Sequence, residues 1–435
     1  MTTAPTANLF DVLSQRGLIA QWTDEQIRQR LTRPVTAYCG FDPTADSLHV
    51  GSLVPIMGLA WLQRCGHRPI VLIGGATGLV GDPSGKTEAR KMLSRQEVDR
   101  NAQAIARQIA RFIRLASASS NAPADLPAPA AADLPPDAPD ALLLNNADWL
   151  ASKTWLDMLR EVGAHFSVNR MLSMESVRGR LDAGGISYLE FSYMVMQAYD
   201  FVHLYQHHGC TLQLGGQDQW GNIVMGIELG RRMANADLAG ITLPLVTKAD
   251  GSKFGKSEAG NVWLDPQRTS PYQFYQFWRN TADADVGRFL AYFTFLPMDE
   301  VHRLAALEGQ AINQAKEVLA YEVTKLVHGQ AEADAARDSA RKAFGAERDV
   351  TGEAIPHATL DRSELRDGAG LLTLMVRAGL APSNSEARRL VQSGGVHLHD
   401  EQVKDPTRRL TEQDVRDGYI LIRVGKKRLF RYDVG

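Results

Sequence analysis

Two short polar motifs, about 200 residues apart, carry residue types that suit the binding of a polyphosphate. The first, Cys39–Ser52 (CGFDPTADSLHVGS), joins a predicted strand to a predicted helix, which starts at His49. Helix N-terminal amides and the helix dipole attract anions, and Thr44 and His49 could donate to phosphate oxygens there. Gly51 would let a nucleotide approach the backbone. Taken alone, this spacing is more typical of a histidine that caps its own helix.

The second motif, Lys253–Ser257 (KFGKS), is a glycine-containing loop with two lysines and a hydroxyl. Its ammonium groups could close onto a leaving pyrophosphate, where negative charge develops in a transition state. A solvated hairpin turn with surface lysines is the simpler alternative, since Ala249–Ser252 before it is typical of a tight turn. The two motifs together favour a triphosphate.

A third segment, Gly81–Thr87 (GDPSGKT), is similar to a P-loop but is one residue too short. Pro83 also removes one of the amides that such a loop needs. We therefore reject the P-loop interpretation. Asp82, Lys86 and Arg90 remain candidates, as one anionic and two cationic groups that follow a predicted strand.

The mostly apolar segment Phe191–Leu204 is predicted to be helical, yet it carries Tyr193, Gln197 and Asp200 at positions i, i+4 and i+7. These three side chains share one helix face. Because buried polar groups need partners, this face indicates either a ligand pocket or a polar helix–helix contact. The pattern leaves both interpretations open.

A polar turn, Gln213–Asn222 (QLGGQDQWGN), follows the predicted strand Thr211–Leu214. The Asp218 carboxylate could accept hydrogen bonds from ribose hydroxyls. An ordinary polar turn after a strand is the alternative.

These motifs need a scaffold of strands and helices. The sequence predicts buried parallel strands at Val35–Gly40 and Pro69–Gly75 and a helix at His49–Arg64. That order of elements indicates an α/β nucleotide-binding sheet. Residues 116–141 contain 16 Ala or Pro among 26 residues, which predicts a disordered surface loop.

The rest of the chain is predicted to be helical from Ser270 to about Phe344, with a polar linker after it. Two short helices and alternating strands follow. Ser383–Glu386 is a capping box for the second helix, which Gly394 ends. The predicted strands are Val396–Leu398 and Tyr419–Val424. The predicted domains are 1–247, 248–345 and 367–435, with 346–366 as the linker.

The composition is that of a soluble globular protein. The chain has 435 residues, 44% hydrophobic and 23% charged, which predicts two or three domains and no membrane span. The N-terminus lacks a signal-peptide pattern. The three cysteines have neither disulfide nor metal-ligand spacing, so we expect a cytoplasmic protein without a metal site.

Charge is distributed unevenly between the body and the C-terminal end. Residues 366–435 hold 13 Lys or Arg and 9 Asp or Glu, a net charge of +4, which leaves −6 on the remainder. A basic end on an acidic body favours contact with a polyanion. A chance excess on a solvated face is the alternative.

Five segments in this order resemble the bacterial tyrosyl-tRNA synthetases, a family of class I aminoacyl-tRNA synthetases. They are Tyr38–Thr44, Gly74–Pro83, Glu190–Tyr193, Gly215–Asn222 and Lys253–Ser257. The resemblance extends from about Leu9 to the C-terminus and is broken mainly by the Ala/Pro-rich loop. It implies an α/β, Rossmann-like catalytic domain, then an α-helical anticodon-recognition domain and a small α+β, S4-like RNA-binding domain.

The resemblance also implies a reaction and its participants. Tyrosine would be activated with ATP, which carries Mg²⁺, to tyrosyl-adenylate and pyrophosphate, and the tyrosyl group would then pass to tRNA. A homodimer is implied, with its interface within about 149–180. The rivals are a related tryptophan-activating enzyme and a non-catalytic RNA-binding protein. The paired Tyr38 and Asp200 argue against tryptophan, because an indole has one donor and no acceptor.

The resemblance assigns expected roles to matching positions. The residues implied to bind tyrosine are Tyr38, Asp82, Tyr193, Gln197, Asp200, Gln213 and Gln219. Those implied to bind ATP are Cys39, Gly40, Asp42, Thr44, His49, Gly51, Gly216, Asp218, Lys253 and Lys256. Those implied to act in catalysis are Thr44, His49, Ser52, Lys86, Arg90, Lys253, Lys256 and Ser257. Those implied to bind tRNA are Arg388, Arg389, Lys404, Arg408, Arg409, Lys426, Lys427 and Arg428.

Two positions depart from the family pattern. The first signature usually ends in a second histidine, whereas this chain has Ser52, whose hydroxyl reaches less far. Pro55 stands where the family often has a polar residue near the nucleotide, and it offers no side-chain donor.

Overall fold

The computed structural model describes most of the chain. The described residues are 7–84, 93–116, 123, 125–127, 134–249, 251, 254–257, 260–344, 355–366, 368–399, 401–425 and 428–435, with the backbone alone for 256–257 and 343–344. The chain divides into two compact units. Unit 1 contains residues 1–254, 263–265 and 281–319, and unit 2 contains 255–262, 266–280 and 320–435.

The strands and helices are numbered along the chain. The strands are β1 (Gln21–Trp22), β2 (Thr36–Phe41), β3 (Arg68–Ile73), β4 (Leu142–Asn145), β5 (Cys210–Gly216), β6 (Ala239–Leu243), β7 (Lys256–Ser257), β8 (Gly260–Asn261), β9 (His357–Leu360), β10 (Ala369–Gly370), β11 (Val396–Leu398), β12 (Glu401–Val403), β13 (Arg409–Leu410), β14 (Tyr419–Val424) and β15 (Arg428–Val434).

The helices are α1 (Leu9–Gln15), α2 (Ile27–Arg30), α3 (Leu53–Arg64), α4 (Thr77–Val80), α5 (Arg95–Ala110), α6 (Ala147–Leu150), α7 (Trp155–Asp157), α8 (Val168–Leu172), α9 (Glu175–Asp182), α10 (Tyr188–His208), α11 (Trp220–Ala234), α12 (Pro271–Arg279), α13 (Asp283–Phe293), α14 (Met298–Ala305), α15 (Ile312–His328), α16 (Gln330–Phe344), α17 (Arg362–Arg366), α18 (Leu371–Arg377) and α19 (Asn384–Gln392). Short 3-10 turns cover Val50–Ser52, Gly163–His165, Gln217–Gln219, Gly309–Ala311 and Glu412–Asp414, and Met158–Val162 is a π-helical turn.

In unit 1 the described residues form a six-stranded sheet with the order β1-β6-β5-β2-β3-β4. Strands β2 to β6 run parallel, and β1 pairs antiparallel with β6 at one edge. In this sheet, β3 and β4 lie on one side of β2, whereas β5 and β6 lie on its other side. This reversal of strand order between β2 and β5 is where ligands bind in open α/β sheets. The predicted α/β sheet is therefore confirmed, and β2 is the strand predicted at Val35–Gly40.

Helices cover both faces of this sheet, because its parallel strands are apolar on both sides. Gly58 of α3 lies against Leu214 and Leu243 on one face. Ile223 of α11 lies against Gly240 on the other face, where Phe201 of α10 also packs on Tyr38. Since side chains alternate along a strand, Tyr38 and Gly240 mark the face that α10 and α11 cover.

Local sequence signals set the ends of α10, the longest helix of unit 1. The Ser187 hydroxyl accepts from the Glu190 backbone amide, and the Glu190 carboxylate accepts from the Ser187 backbone amide, which is a capping box. The helix ends at Gly209, whose φ of +62° is left-handed and suits glycine. Glu190 also pairs with the buried Arg180, which gives it a structural role at the start of this helix.

Unit 2 contains helices α12 and α16 and a five-stranded sheet with the order β12-β11-β14-β15-β9. Helices α18 and α19 pack on this sheet around a core that includes Leu374, Val391 and Ile422. Ser383 caps α19 as predicted, but Glu386 pairs with Arg389 instead of closing the capping box. The strands predicted at Val396–Leu398 and Tyr419–Val424 are β11 and β14.

Part of the Ala/Pro-rich segment lies within the described residues. Ala138 is buried, and the Ala141 backbone amide donates to the Arg114 carbonyl oxygen at 2.9 Å. The end of this segment is therefore packed onto unit 1. Among the helices that the structure describes, none combines the length and the apolar character needed to cross a membrane.

Candidate active site at the carboxyl edge of the first sheet

The carboxyl ends of β2, β3 and β5 bring several predicted site residues to one edge of the sheet. Asp42 follows β2, Gly74 follows β3, and Gly216 ends β5. The strand order reverses between β2 and β5, and open α/β sheets bind their ligands at the carboxyl edge beside such a reversal.

Asp42 connects the sheet to two helices. Its Oδ2 accepts from the Tyr193 hydroxyl of α10 at 2.8 Å, and its Oδ1 accepts from the Thr77 hydroxyl of α4 at 2.8 Å. Gly74 permits this arrangement, because a methyl group added there would lie 2.0 Å from Asp42 Oδ1. The carboxylate is thus held in one orientation at the end of β2.

Asp200 lies one helical turn beyond Gln197 on α10 and is 2% exposed. Its Oδ1 accepts from Trp149 Nε1 at 2.8 Å, and its Oδ2 accepts from Asn146 Nδ2 at 3.0 Å. Burial raises the pKa of the Asp200 carboxyl to about 7; these two hydrogen bonds oppose the rise and the Asp42 carboxylate adds to it. The carboxyl therefore titrates near neutral pH, as groups at functional sites often do.

Tyr38 and Gln213 face each other across the parallel pair β2 and β5. Both side chains are buried, and neither the Tyr38 hydroxyl nor the Gln213 Oε1 has a hydrogen-bond partner among the described residues. Burial, and then the charge of Asp200, raise the pKa of the Tyr38 phenol well above its usual range. Since native proteins pair their buried polar atoms, two such neighbours indicate a place for a polar ligand.

A second polar network joins the loop after α4 to helices α10 and α11. Gln219 Nε2 donates to Asp82 Oδ2 at 2.6 Å, and Asp82 Oδ1 accepts from the Ser84 backbone amide at 2.9 Å. Asn222 Nδ2 donates both to Gln197 Oε1 at 3.0 Å and to Gln219 Oε1 at 3.1 Å. This network orients the side-chain amides of Gln219 and Asn222 and holds the Asp82 carboxylate in place.

Asp218 follows β5 and lies near Cys39 of β2. Burial, and then the charge of Asp82, raise the pKa of the Asp218 carboxyl. Burial, and then the Asp218 charge, raise the pKa of the Cys39 thiol to about 12, so the thiol stays protonated. Gly40 is exposed beside them, and Gly216 lies against Asp218, where an added methyl group would be 2.4 Å from Oδ1.

His49 caps the 3-10 turn that leads into α3. Its Nδ1 accepts from the Gly51 backbone amide at 3.0 Å, so Nε2 is the ring nitrogen that can carry the proton. An added methyl group on Gly51 would lie 2.8 Å from the ring. Thr44 and His49 are both exposed, and Ser52 occupies the position before α3 without a side-chain cap bond. The capping interpretation is therefore correct.

Several predicted residues lie elsewhere. Lys86, Arg90, Lys253, Lys426 and Lys427 lie outside the described residues, as do the side chains of Lys256 and Ser257.

In unit 2, Arg388 and Lys404 are exposed. Arg389 pairs with Glu386, and Arg408 pairs with Asp414. Arg409 and Arg428 donate to the backbone carbonyls of Gly368 and Leu380.

Sequence reasoning did not identify Asn146, Trp149, Thr77 and Asn222 as parts of the site. Asn146 and Trp149 follow β4, whose apolar run Leu142–Leu144 ends in two asparagines. Polar residues directly after a buried strand would have been the available signal. On α10, Gln197 makes a polar contact with Asn222 of the neighbouring helix α11. Tyr193 and Asp200 instead bond to residues that follow strands β2 and β4.

The arrangement offers three chemical features. The Asp82 carboxylate can accept a hydrogen bond from a cationic group. Buried polar atoms of Tyr38, Gln213 and Asp200 suit a ligand hydroxyl. The strand ends beside Asp42 and Gly216 offer a cleft for a phosphate-bearing ligand.

The family to which the chain belongs follows from its similarity to known proteins. The family profile described as tRNA synthetases class I (W and Y) matches residues 29–345. The profile described as the tyrosine–tRNA ligase SYY-like C-terminal domain matches residues 349–432.

Relatives match over almost their whole lengths. The tyrosine–tRNA ligase of Rhizobium meliloti is 50% identical over 97% of this chain and 97% of its own. That of Clostridium beijerinckii is 47% identical over 98% and 100%. A crystal structure of the C-terminally truncated mitochondrial tyrosyl-tRNA synthetase of Aspergillus nidulans matches with a TM-score of 0.65 and 32% identity, over 78% of this chain and 94% of that chain. The chain therefore belongs to the tyrosine–tRNA ligase family of class I tRNA synthetases.

Proposed function

We propose that this protein is a tyrosine–tRNA ligase. It activates tyrosine with ATP to tyrosyl-adenylate and pyrophosphate, and it then transfers the tyrosyl group to the 3′ end of tRNA. The observation that carries this proposal is the pair of unpartnered buried oxygens on Tyr38 and Gln213, close to Asp200. A bound hydroxyl would supply the partner that the Tyr38 hydroxyl lacks.

The tyrosine site has two ends. The Tyr38 hydroxyl and the Asp200 carboxylate bind the phenol hydroxyl of the substrate. Asp82, Tyr193 and Gln197 bind the ammonium group, supported by the network that holds Asp82 and Gln197 in place. A site that pairs its buried groups with a hydroxyl leaves them unpaired when phenylalanine enters, a rule for which tyrosyl-tRNA synthetase itself is the standard example.

ATP binds at the strand ends. Cys39, Gly40, Gly216 and Asp218 contact the ribose, supported by the closeness of Cys39 to Asp218. The Asp42 backbone amide donates to the α-phosphate, and Thr44 and His49 donate to the outer phosphates. The residues assigned to the leaving pyrophosphate are Ser52, Lys86, Arg90, Lys253, Lys256 and Ser257.

The first step needs no covalent enzyme intermediate. The tyrosine carboxylate attacks the α-phosphorus of Mg·ATP, the new P–O bond forms, and pyrophosphate leaves with the electron pair of the broken bond. In the second step a ribose hydroxyl of the terminal tRNA nucleotide attacks the adenylate carbonyl, and AMP leaves. The protein contributes orientation and charge stabilisation to both steps.

The C-terminal sheet domain binds the tRNA backbone. Arg388 and Lys404 of this domain are exposed, which suits phosphate contacts. We expect Arg388→Glu combined with Lys404→Glu to raise the KM for tRNA without changing tyrosine activation. Aminoacylation and pyrophosphate exchange, measured on the same preparation, test this assignment.

The protein acts as a homodimer through an apolar surface of unit 1 that includes the segment expected to form the interface. Eight large apolar side chains of residues 155–189 are exposed, and a cluster of this kind is typical of an interface. They are Trp155, Leu156, Leu159, Val168, Leu172, Leu181, Tyr188 and Leu189. Leu156 is 60% exposed. We expect Leu156→Glu to shift the protein from dimers towards monomers in sedimentation experiments.

The decisive experiment is ATP–pyrophosphate exchange with each amino acid in turn. We expect rapid exchange with tyrosine, and little with phenylalanine or tryptophan. Exchange with tryptophan alone would favour the tryptophan-activating enzyme. The absence of exchange with any amino acid, combined with tRNA binding, would favour the non-catalytic RNA-binding protein.

A further inference from the structure

Trp149 lies directly behind the carboxylate that we assign to the substrate hydroxyl. Its Nε1 donates to Asp200 Oδ1 at 2.8 Å, and the residue is 9% exposed. It belongs to α6, a single helical turn of four residues. The orientation of the Asp200 carboxylate therefore depends on what holds this indole ring.

The other donor to Asp200 is held by the backbone. The Asn146 backbone N–H donates to the Ile73 carbonyl oxygen at 3.0 Å, and the side-chain Oδ1 of Asn146 accepts from the Ala76 backbone amide at 2.8 Å. These bonds fix the Asn146 side chain between β3 and α4. An indole ring can accept no comparable hydrogen bond, because its only polar group is the N–H that faces Asp200.

The imidazole ring of His203 supplies the missing support. It stacks on the Trp149 indole with a centroid separation of 4.2 Å and an interplanar angle of 15°. His203 follows Asp200 by three residues on α10, so both side chains leave the same helix face. One helix thus contacts the indole twice, at its N–H edge through Asp200 and on its flat face through His203.

His203 is itself supported from outside. The exposed His207 ring stacks on it with a centroid separation of 4.0 Å and an angle of 20°. Burial, and then the neighbouring His207, His208 and Lys153, lower the pKa of His203 to about 4. The ring is therefore neutral at physiological pH and stacks on the indole without placing a charge in the apolar layer.

We propose that His203 is a positioning residue for tyrosine recognition: its stacking on Trp149 keeps the indole N–H on Asp200, and this holds the carboxylate towards the substrate hydroxyl. The inference rests on the proposed function. His203 contacts no substrate atom and acts only through Trp149 and Asp200.

The test compares three substitutions at this position. His203→Phe keeps a flat ring on the indole, whereas His203→Leu and His203→Ala do not. We expect His203→Leu and His203→Ala to raise the KM for tyrosine about fivefold, which is the effect of weakening one hydrogen bond to a charged group. The KM for ATP and kcat should remain within about twofold of the wild type, and His203→Phe should restore the KM for tyrosine.

A second readout reports on Asp200 directly. A weakened bond from Trp149 removes a contact that favours the ionised carboxylate, so the pH midpoint of tyrosine binding should rise in His203→Leu. The other groups around Asp200 are Asn146, Asp42 and Tyr38, and these are unchanged in the variant. His208→Ala is the matched control, since His208 belongs to the same helix and has no ring contact with Trp149 among the described stacking pairs. It should behave as the wild type.

The outcomes separate the two proposals. If the wild type exchanges with tyrosine but His203→Leu leaves the KM for tyrosine unchanged, or changes the KM for tyrosine and for ATP equally, the role of His203 is wrong. A His203→Phe variant no better than His203→Leu would also overturn it. A wild type that does not exchange with tyrosine would overturn the proposed function and this inference together. Melting temperatures identify any variant that fails to fold. If His203→Ala does not fold, the comparison of His203→Phe with His203→Leu still tests the proposal.

Discussion

Tyr38 and Gln213 are paired across the parallel strands β2 and β5, and a buried oxygen of each lacks a hydrogen-bond partner among the described residues. Leaving such atoms unpaired costs stability in the ligand-free protein. A ligand hydroxyl would offset that cost on binding. These unpaired atoms therefore favour a substrate that carries a hydroxyl over one that lacks it.

Tyr38→Phe separates stability from function. The variant removes a buried hydroxyl without a partner, so we expect the ligand-free protein to gain about 1 kcal/mol of stability. It also removes a hydrogen bond to the substrate, so the KM for tyrosine should rise about fivefold and discrimination against phenylalanine should fall by a similar factor. Thermal melting and pyrophosphate exchange measure the two effects.

Tyr432→Phe is the matched control for that substitution. The Tyr432 hydroxyl is also buried, but it donates to the Leu374 carbonyl oxygen at 2.8 Å in unit 2. We expect this variant to lose about 1 kcal/mol and to keep its exchange activity. If both variants lose stability, the Tyr38 hydroxyl has a partner in the ligand-free protein, and our interpretation is wrong.

Tyrosine affinity should depend on pH through Asp200. Because the pKa of this carboxyl is raised to about 7, lowering the pH through neutrality protonates it in the ligand-free protein. The ionised carboxylate is the stronger acceptor for the phenol hydroxyl. We therefore expect the dissociation constant for tyrosine to increase by up to about tenfold per pH unit below pH 7, as measured by calorimetry.

Phenylalanine provides the control for this pH dependence. It carries the same ammonium and carboxylate groups and lacks the hydroxyl. Its weak binding should vary less over the same pH range. Equal pH profiles for the two amino acids would assign the titration to the ammonium end of the site instead.

Gly74→Ala should disable the strand-end cleft. The added methyl group would lie 2.0 Å from Asp42 Oδ1 and 2.5 Å from Thr77 Oγ1, so the carboxylate must move. Because Asp42 connects the end of β2 to α10, we expect exchange activity to fall at least about tenfold.

Gly179→Ala is the control. It lies within α9 and has open space around an added methyl group, so it should keep full exchange activity and gain up to about 1 kcal/mol of stability. Wild-type kcat in Gly74→Ala would show that the Asp42 geometry is not required.

Acid should destabilise unit 1 through His67, which is fully buried and accepts from the Val35 amide through Nδ1 at 3.2 Å. Burial lowers the pKa of His67 from 6.5 to about 4. Between pH 6.5 and about pH 4, His67 is therefore protonated in the unfolded chain but neutral in the folded protein. The contribution of His67 to the free energy of unfolding is complete above pH 6.5. It is lost as the pH falls, by about 3 kcal/mol in total.

His67→Asn tests this assignment, because it keeps an acceptor near Nδ1 but does not titrate. The melting temperature of the wild type should fall relative to the variant between about pH 7 and pH 5. His203, whose pKa is also about 4, contributes in the same direction to both proteins. Parallel pH profiles would exclude His67 as the source.

The family and several of the main elements could be predicted from local sequence patterns. Local patterns were enough to predict β2, β11 and β14, because the run or alternation of apolar residues in a segment indicates a strand. The same holds for the Ser383 cap of α19. The ordered motifs predicted a class I synthetase, and the comparisons confirm this family.

Which side chains meet at the site follows from the packing of distant segments in three dimensions. The partners of Asp200 are Asn146 and Trp149, more than 50 residues earlier in the chain, and Asp42 joins Tyr193 across 151 residues. No spacing along the chain reveals such contacts, because sheet order and helix packing create them. The unpaired oxygens of Tyr38 and Gln213, and the stacking of His203 on Trp149, exist only once distant strands and helices share one buried layer.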